Sequence, residues 1–219
     1  MLAVADVGLH DMRKTLQHLI LLVLCALGSS CANRQRSTQS DQETGVYEVV
    51  LSQCFSRPWW RARRHYVVIE ERSVNLEVHF RDANGVLATP TPENLSIELH
   101  GRFPGIGSDT VTNYIHNSTE PMRHLKPGSQ LGVPYTLATK DEIDSIMKSP
   151  KGVSEFPHRY RGFAGLLTLS RVGFNREGTE ALVYIECVVG GLDGSGDYYL
   201  LRQDKHRWVI VSSSLVWIS

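Results

Sequence analysis

No excess charge of either sign marks this sequence: of its 219 residues, 23 are basic and 23 acidic. A protein that holds nucleic acid by bulk electrostatics carries a basic surplus or a basic face, so this balance argues against a nucleic-acid partner. Long apolar runs are missing as well. The longest, Leu19 to Leu27, has nine residues, and a helix that crosses a bilayer needs about 20. Cysteine is scarce, with four in the chain, too few for a disulfide-stapled scaffold. Gly-x-Ser-x-Gly, His-Glu-x-x-His, Cys-x-x-Cys and Gly-Lys-Ser/Thr are all absent, which lowers the expectation of an enzyme without excluding a triad built from distant residues. The histidines are scattered without ligand spacing, and nothing in the sequence calls for a cofactor.

What is present begins at the N-terminus. Met12-Arg13-Lys14 is a short positive stretch, Leu19 to Leu27 is the apolar run, and Gly28-Ser29-Ser30 are small. That order is the layout of a secretory signal peptide over residues 1–30. Asp6 and Asp11 are unusual upstream of such a stretch, so translation is expected to begin at Met12. Leu27-Gly28-Ser29-Ser30-Cys31 resembles a bacterial lipoprotein signal, in which the cysteine after small residues becomes diacylated. Leucine stands one place early in this match, and cleavage after Ala32 is the alternative. The resemblance implies lipidation of Cys31 and a membrane as partner, since several acyl chains anchor firmly where one does not. Residues 31–45 are polar and nearly free of large apolar side chains, so they read as a flexible tether.

Residues 46–219 then read as a single α+β domain. Tyr66-Val67-Val68-Ile69 is β-branched and predicts a strand. Pro92-Glu93-Asn94 opens one helix through Leu99, and Ser108-Asp109 caps another through Ile115. Thr139-Lys140-Asp141-Glu142 is a capping box before Ile143, Ile146 and Met147 at helical spacing. A short helix over Val153 to Tyr160 follows. Four strands come last: Leu166 to Phe174, Thr179 to Val189, Asp197 to Arg202 and Arg207 to Ile218. Their short links predict an antiparallel meander. Along the second strand Ala181, Val183, Ile185 and Cys187 share one face, and Glu180, Tyr184 and Glu186 the other, which predicts a sheet buried on one side and wetter on the other.

Several residues are candidates for chemistry. Asp193, Ser195 and Asp197 alternate through the glycine-rich stretch Gly190 to Gly196, a spacing of oxygen ligands that can wrap a calcium ion; a plain hairpin turn is the simpler reading. Cys54 and Cys187 form an even pair, which an oxidising compartment permits to bridge. Arg57, Trp59, Trp60, Arg61, Arg63, Arg64 and His65 form a basic-aromatic cluster able to stack on a sugar, peptide or lipid headgroup, unless the tryptophans are core. Arg171 and Glu186 are placed to pair across neighbouring strands. Asp141, Glu142 and Asp144 suit the first turn of their helix, where negative charge is favourable.

Ser170-Arg171-Val172-Gly173-Phe174-Asn175, Ala181-Leu182-Val183-Tyr184, Gly190-Gly191, Gly196, Tyr199-Leu200-Leu201 and Trp208-Val209-Ile210 together resemble a family of uncharacterised exported bacterial proteins. Cysteines often flank the glycine loop in that family; Val189 and Asp193 stand there in this chain, so no loop disulfide carries over. The resemblance implies fold and location and no activity. The expectation is therefore an exported, lipid-anchored envelope protein with a non-enzymatic binding or structural role. The alternatives are a secreted or tethered hydrolase, and a small-ligand binder whose terminal sheet cups a cavity as in NTF2-like or cystatin-like folds.

Overall fold

The computed structural model describes residues 41–55, 66–71, 91–119, 125, 128–191 and 193–219. The chain divides into two units, Met1–Gln42 and Glu43–Ser219, and only residues 41 and 42 of the first are described. The expected signal peptide, Cys31 and the cluster from Arg57 to His65 lie outside the described residues. Helix α1 covers residues 41–54, so the last five positions of the expected tether are helical. Val46, Tyr47, Val50 and Leu51 give the reason: they repeat at helical spacing and bury one face in the core.

The second unit is built on a seven-stranded mixed sheet. Strands β1 (Tyr66–Glu70), β2 (Tyr135–Ala138), β3 (Phe163–Leu169), β4 (Gly173–Phe174), β5 (Glu180–Gly190), β6 (Asp193–Asp204) and β7 (Arg207–Ile218) run in the order β2-β1-β3-β5-β6-β7, with β4 beside β5. The β5–β6–β7 part is the expected antiparallel meander. The sheet as a whole corrects the four-stranded expectation: β1 and β2 add parallel pairs beyond β3, and the first expected strand is two. Ser170 keeps one backbone bond to Tyr184 of β5, and Arg171 and Val172 leave the ladder before β4, all three of them buried.

Helices lie over both sheet faces. Helix α1 packs on the face that carries Val67, Leu167, Val183 and Leu201. On the opposite face α2 (Pro92–Arg102) and α3 (Ser108–Thr119) pack over Leu182, Tyr184, Tyr198 and Leu200. Helices α4 (Lys140–Met147) and α5 (Phe156–Arg159), joined by a 3-10 turn at Gly152–Glu155, cover Val68 and Leu166. The wetter face expected for β5 is therefore closed, with Glu180 and Tyr184 both buried.

Local signals explain the helix starts. The Thr139 side chain accepts from the Glu142 amide at 3.2 Å, and Thr91 does the same for Asn94, each satisfying an orphan amide of a first turn. In α4 the expected acidic turn is held by cations: Asp144 pairs with Lys140, and Glu142 lies 3.3 Å from Arg159.

Candidate functional site

Residues Ser170 to Asn175 lie between β3 and β5 and are held by contacts to both helix layers. Arg171 points into the core, where its guanidinium donates to Glu43 Oε1 at 3.2 Å. The partner is thus Glu43 of α1, correcting the expected pairing with Glu186. Ser170 Oγ accepts the Tyr184 amide at 2.9 Å, and the Ser170 carbonyl accepts the Tyr47 hydroxyl at 2.7 Å. Asn117 Nδ2 donates to the Val172 carbonyl, and Asn113 Oδ1 accepts the Phe174 amide. Gly173 lies against the backbone of α3: a Cβ there would come within 2.3 Å of Tyr114 Cβ. Asn175 Oδ1 accepts the amides of Thr179 and Glu180 and so closes the turn into β5. Six consecutive residues thereby tie α1, α3 and the sheet together.

Glu180, the first residue of β5, is buried and fully engaged. Its Oε1 accepts Gly107 N and Thr110 Oγ1, both at 2.8 Å, at the start of α3. Its Oε2 pairs with Arg202 at 2.9 Å. Both carboxyl oxygens are thus occupied, one by the start of α3 and the other by the Arg202 guanidinium.

The side chains with chemical potential gather on the α1 face, at the far end of the β5–β6 hairpin. Cys54 ends α1, and its Sγ lies 3.2 Å from the Tyr199 hydroxyl. Cys187 on β5 faces Ser195 on β6, and the next pair along that face is Ile185 with Asp197. The sheet thus gathers Cys54, Cys187, Tyr199, Ser195 and Asp197. Both cysteines are half-buried free thiols, so the pair is brought to one neighbourhood without a bond.

The electrostatics of this cluster run against nucleophilic chemistry. Burial, helped by the Cys54 charge, pushes the Cys187 thiol up to about 12. Burial also raises Cys54, with the Tyr199 hydrogen bond opposing and Asp197 adding to the rise. Tyr199 is raised by burial and by Cys54. Asp197 is raised by burial, while the Ser195 hydroxyl, donating at 3.1 Å, opposes the shift. Reactive cysteines need the thiolate, which a lowered value supplies. The two thiols and the phenol are neutral donors and acceptors, suited to hydrogen bonding.

The turn expected over Gly190 to Gly196 is shorter in the structure. Residues Asp193 to Gly196 belong to strand β6, and the turn is confined to the few residues between Gly190 and Asp193. Asp193, Ser195 and Asp197 lie at alternate positions of this extended strand, and the Ser195 hydroxyl donates to Asp197 Oδ2 at 3.1 Å. Among the described residues no group of three His, Cys, Asp or Glu side chains could hold a metal ion. Gly196 has a different use: a Cβ there would come within 2.1 Å of the Tyr184 hydroxyl. The glycine leaves room for Trp217 Nε1 to donate to that hydroxyl at 2.8 Å.

On the α2–α3 face Tyr198 meets Tyr114 edge-on with ring centroids 5.9 Å apart, and Tyr184 at 5.2 Å. Burial raises all three phenols, so they too stay neutral.

No protein-family model, curated protein or solved structure matches this chain.

Sequence reasoning had singled out Cys54, Cys187, Asp193, Ser195, Asp197, Arg171 and Glu186. It missed Glu43 and Tyr199. Glu43 sits in a stretch whose composition reads as tether, and Tyr199 is one aromatic among many in strand residues.

Proposed function

We propose that this chain is an exported envelope protein, anchored in a membrane through lipid on Cys31, whose α+β domain binds a partner and does not turn over a substrate. The observation that carries the binding reading is the burial of the Cys54–Cys187–Tyr199 cluster, with Cys54 Sγ 3.2 Å from the Tyr199 hydroxyl. Its two thiols and its phenol are held in their neutral forms by burial, which leaves no activated nucleophile there. The buried charges Glu43, Arg171 and Glu180 are each engaged in holding helices to the sheet. The export and anchoring part rests on sequence: a cationic stretch, a nine-residue apolar run, small residues and then Cys31.

The test is the intact mass of the protein recovered from membrane and soluble fractions, alongside Cys31→Ala. The expected result is a diacylated N-terminus at Cys31 in the membrane fraction, lost in the variant. An unmodified chain starting near Asn33 in the soluble fraction would overturn the anchor.

A further inference from the structure

Strand β7 ends the sheet. One of its sides pairs with β6, and among the described residues no strand lies along the other. An open strand edge presents unpaired backbone groups, and proteins usually blunt it with charge, proline or a covering element. From Trp208 to Ile218 this strand has no charged residue and no proline of its own; one charge reaches it, the Arg102 guanidinium of α2, which donates to the Leu215 carbonyl at 2.8 Å and to Ser214 Oγ at 3.0 Å. It also carries four of the seven exposed large apolar side chains among the described residues: Val209, Val211, Leu215 and Ile218, the last 73% exposed.

The order of residues along this edge says what fits it. Four apolar residues, Trp208 to Val211, are followed by Ser212-Ser213-Ser214 and then by four apolar residues, Leu215 to Ile218. By class the strand reads the same in both directions about Ser213. The same strand, reversed, therefore matches every position. An isologous interface demands this self-complementarity.

We propose that β7 pairs antiparallel with β7 of a second copy of this chain, about a two-fold axis through Ser213, so that two sheets become one. In this register Ser213 faces its own copy, Val211 faces Leu215, Val209 faces Trp217 and Trp208 faces Ile218. Moving the axis one residue either way sets apolar side chains against serines. The faces agree as well. Ser213 lies opposite Tyr199, whereas Ser212 and Ser214 lie opposite Leu200 and Tyr198 on the other face. Each serine therefore meets a serine on its own face, as an axis perpendicular to the sheet requires. Val211 and Val216 are bulged out of the β6 ladder, and bulges discourage edge pairing where they fall. Between them Ser212 to Leu215 keeps unbroken register with Leu200 to Asp197. The axis thus falls on the one regular stretch at the strand's centre.

This pairing is independent of lipid on Cys31, so it is tested in full-length Cys31→Ala, where loss of the anchor cannot disguise the result. Light scattering after size exclusion is expected to give a dimer that dissociates on dilution. Ser213→Lys sets two like charges directly opposite across the axis, and is expected to raise the dissociation midpoint by roughly ten-fold or more. Ser213→Cys is the second measurement. Directly opposed residues lie about 4.5–5.5 Å apart between Cα atoms, within reach of a disulfide. Mild oxidation with a small-molecule disulfide should give a covalent dimer through this residue. Val209→Cys serves as the exposed control, because in the proposed register its copy lies roughly 27 Å away along the strands. A monomer at every concentration overturns the proposal. Equal cross-linking from Val209→Cys and Ser213→Cys overturns it too.

Discussion

Glu43 and Arg171 stand 128 residues apart in the sequence, and they form an ion pair almost closed to solvent. Their side chains are 8% and 3% exposed, with 3.2 Å between Oε1 and the guanidinium. Because Arg171 belongs to the segment that also receives Tyr47, Tyr184 and Asn117 through its neighbours, the pair fixes α1 against the sheet. Breaking a buried pair from one side leaves an uncompensated charge, which costs about 3–5 kcal/mol, whereas replacing both partners by apolar groups is often tolerated. Glu43→Leu and Arg171→Met should each lower the urea midpoint sharply. The double variant should recover most of that loss, and a double variant as unstable as the worse single one would contradict the account.

Gly173 makes a second prediction about the same segment. A Cβ there would lie 2.3 Å from Tyr114 Cβ and 2.5 Å from its Cα. Those atoms belong to a helix backbone that cannot step aside alone. Gly173→Ala should cost about 2–3 kcal/mol through overpacking, visible as a lower midpoint in denaturation. Ala181→Gly, one strand over, serves as the contrast: it removes volume from the core and introduces no clash.

How much of this was legible in the sequence follows from how local each signal is. Thr139 with Glu142, and Thr91 with Asn94, are contacts three residues apart, so spacing alone predicts them. The β5–β6–β7 hairpins are local too, joined by short turns. Strand β2 was not predicted, because Tyr135–Ala138 is four residues long and its parallel partner β1 lies far back in the chain. The start of helix α1 falls in a stretch that reads as tether because Glu43 looks polar in isolation. Only its distant partner Arg171 makes it a core residue. The glycine-rich stretch shows the same limit: Gly196 leaves room for Trp217 to approach Tyr184, a contact between β7 and β5 that no local signal announces.

Asp197 gives a prediction with a pH sign. Burial lifts its carboxyl above the ordinary value of 3.8, and the Ser195 hydroxyl only opposes the shift. The folded state therefore holds this proton to higher pH than the unfolded chain does. Stability from this group falls as pH rises through the range just above 3.8 and is lowest once the carboxylate is fully formed. Asp197→Asn keeps an acceptor for Ser195 and removes the charge. It should raise the thermal midpoint at pH 7, and the difference should close by pH 3. An equal difference at both pH values would place the effect outside this titration.

Cys187 titrates in the opposite range with the same sign. Its thiol rises from 9.0 to about 12, chiefly by burial, so between those values the unfolded chain ionises first and the folded state loses relative stability as pH climbs. The same shift governs reactivity, because alkylation needs the thiolate. At pH 8 iodoacetamide should modify Cys187 in the native protein at least a hundred-fold more slowly than in the unfolded chain, given a tenfold change in thiolate fraction per pKa unit. Peptide mapping by mass spectrometry separates Cys187 from Cys54 and Cys31. If Cys187 reacts in the native protein as fast as in urea, the thiol is not buried as the β5–α1 packing requires. If it resists alkylation in urea until a reductant is added, it is already bridged. The expected outcome is slow native labelling and full labelling on unfolding without reductant, the behaviour of a free thiol that the fold keeps neutral.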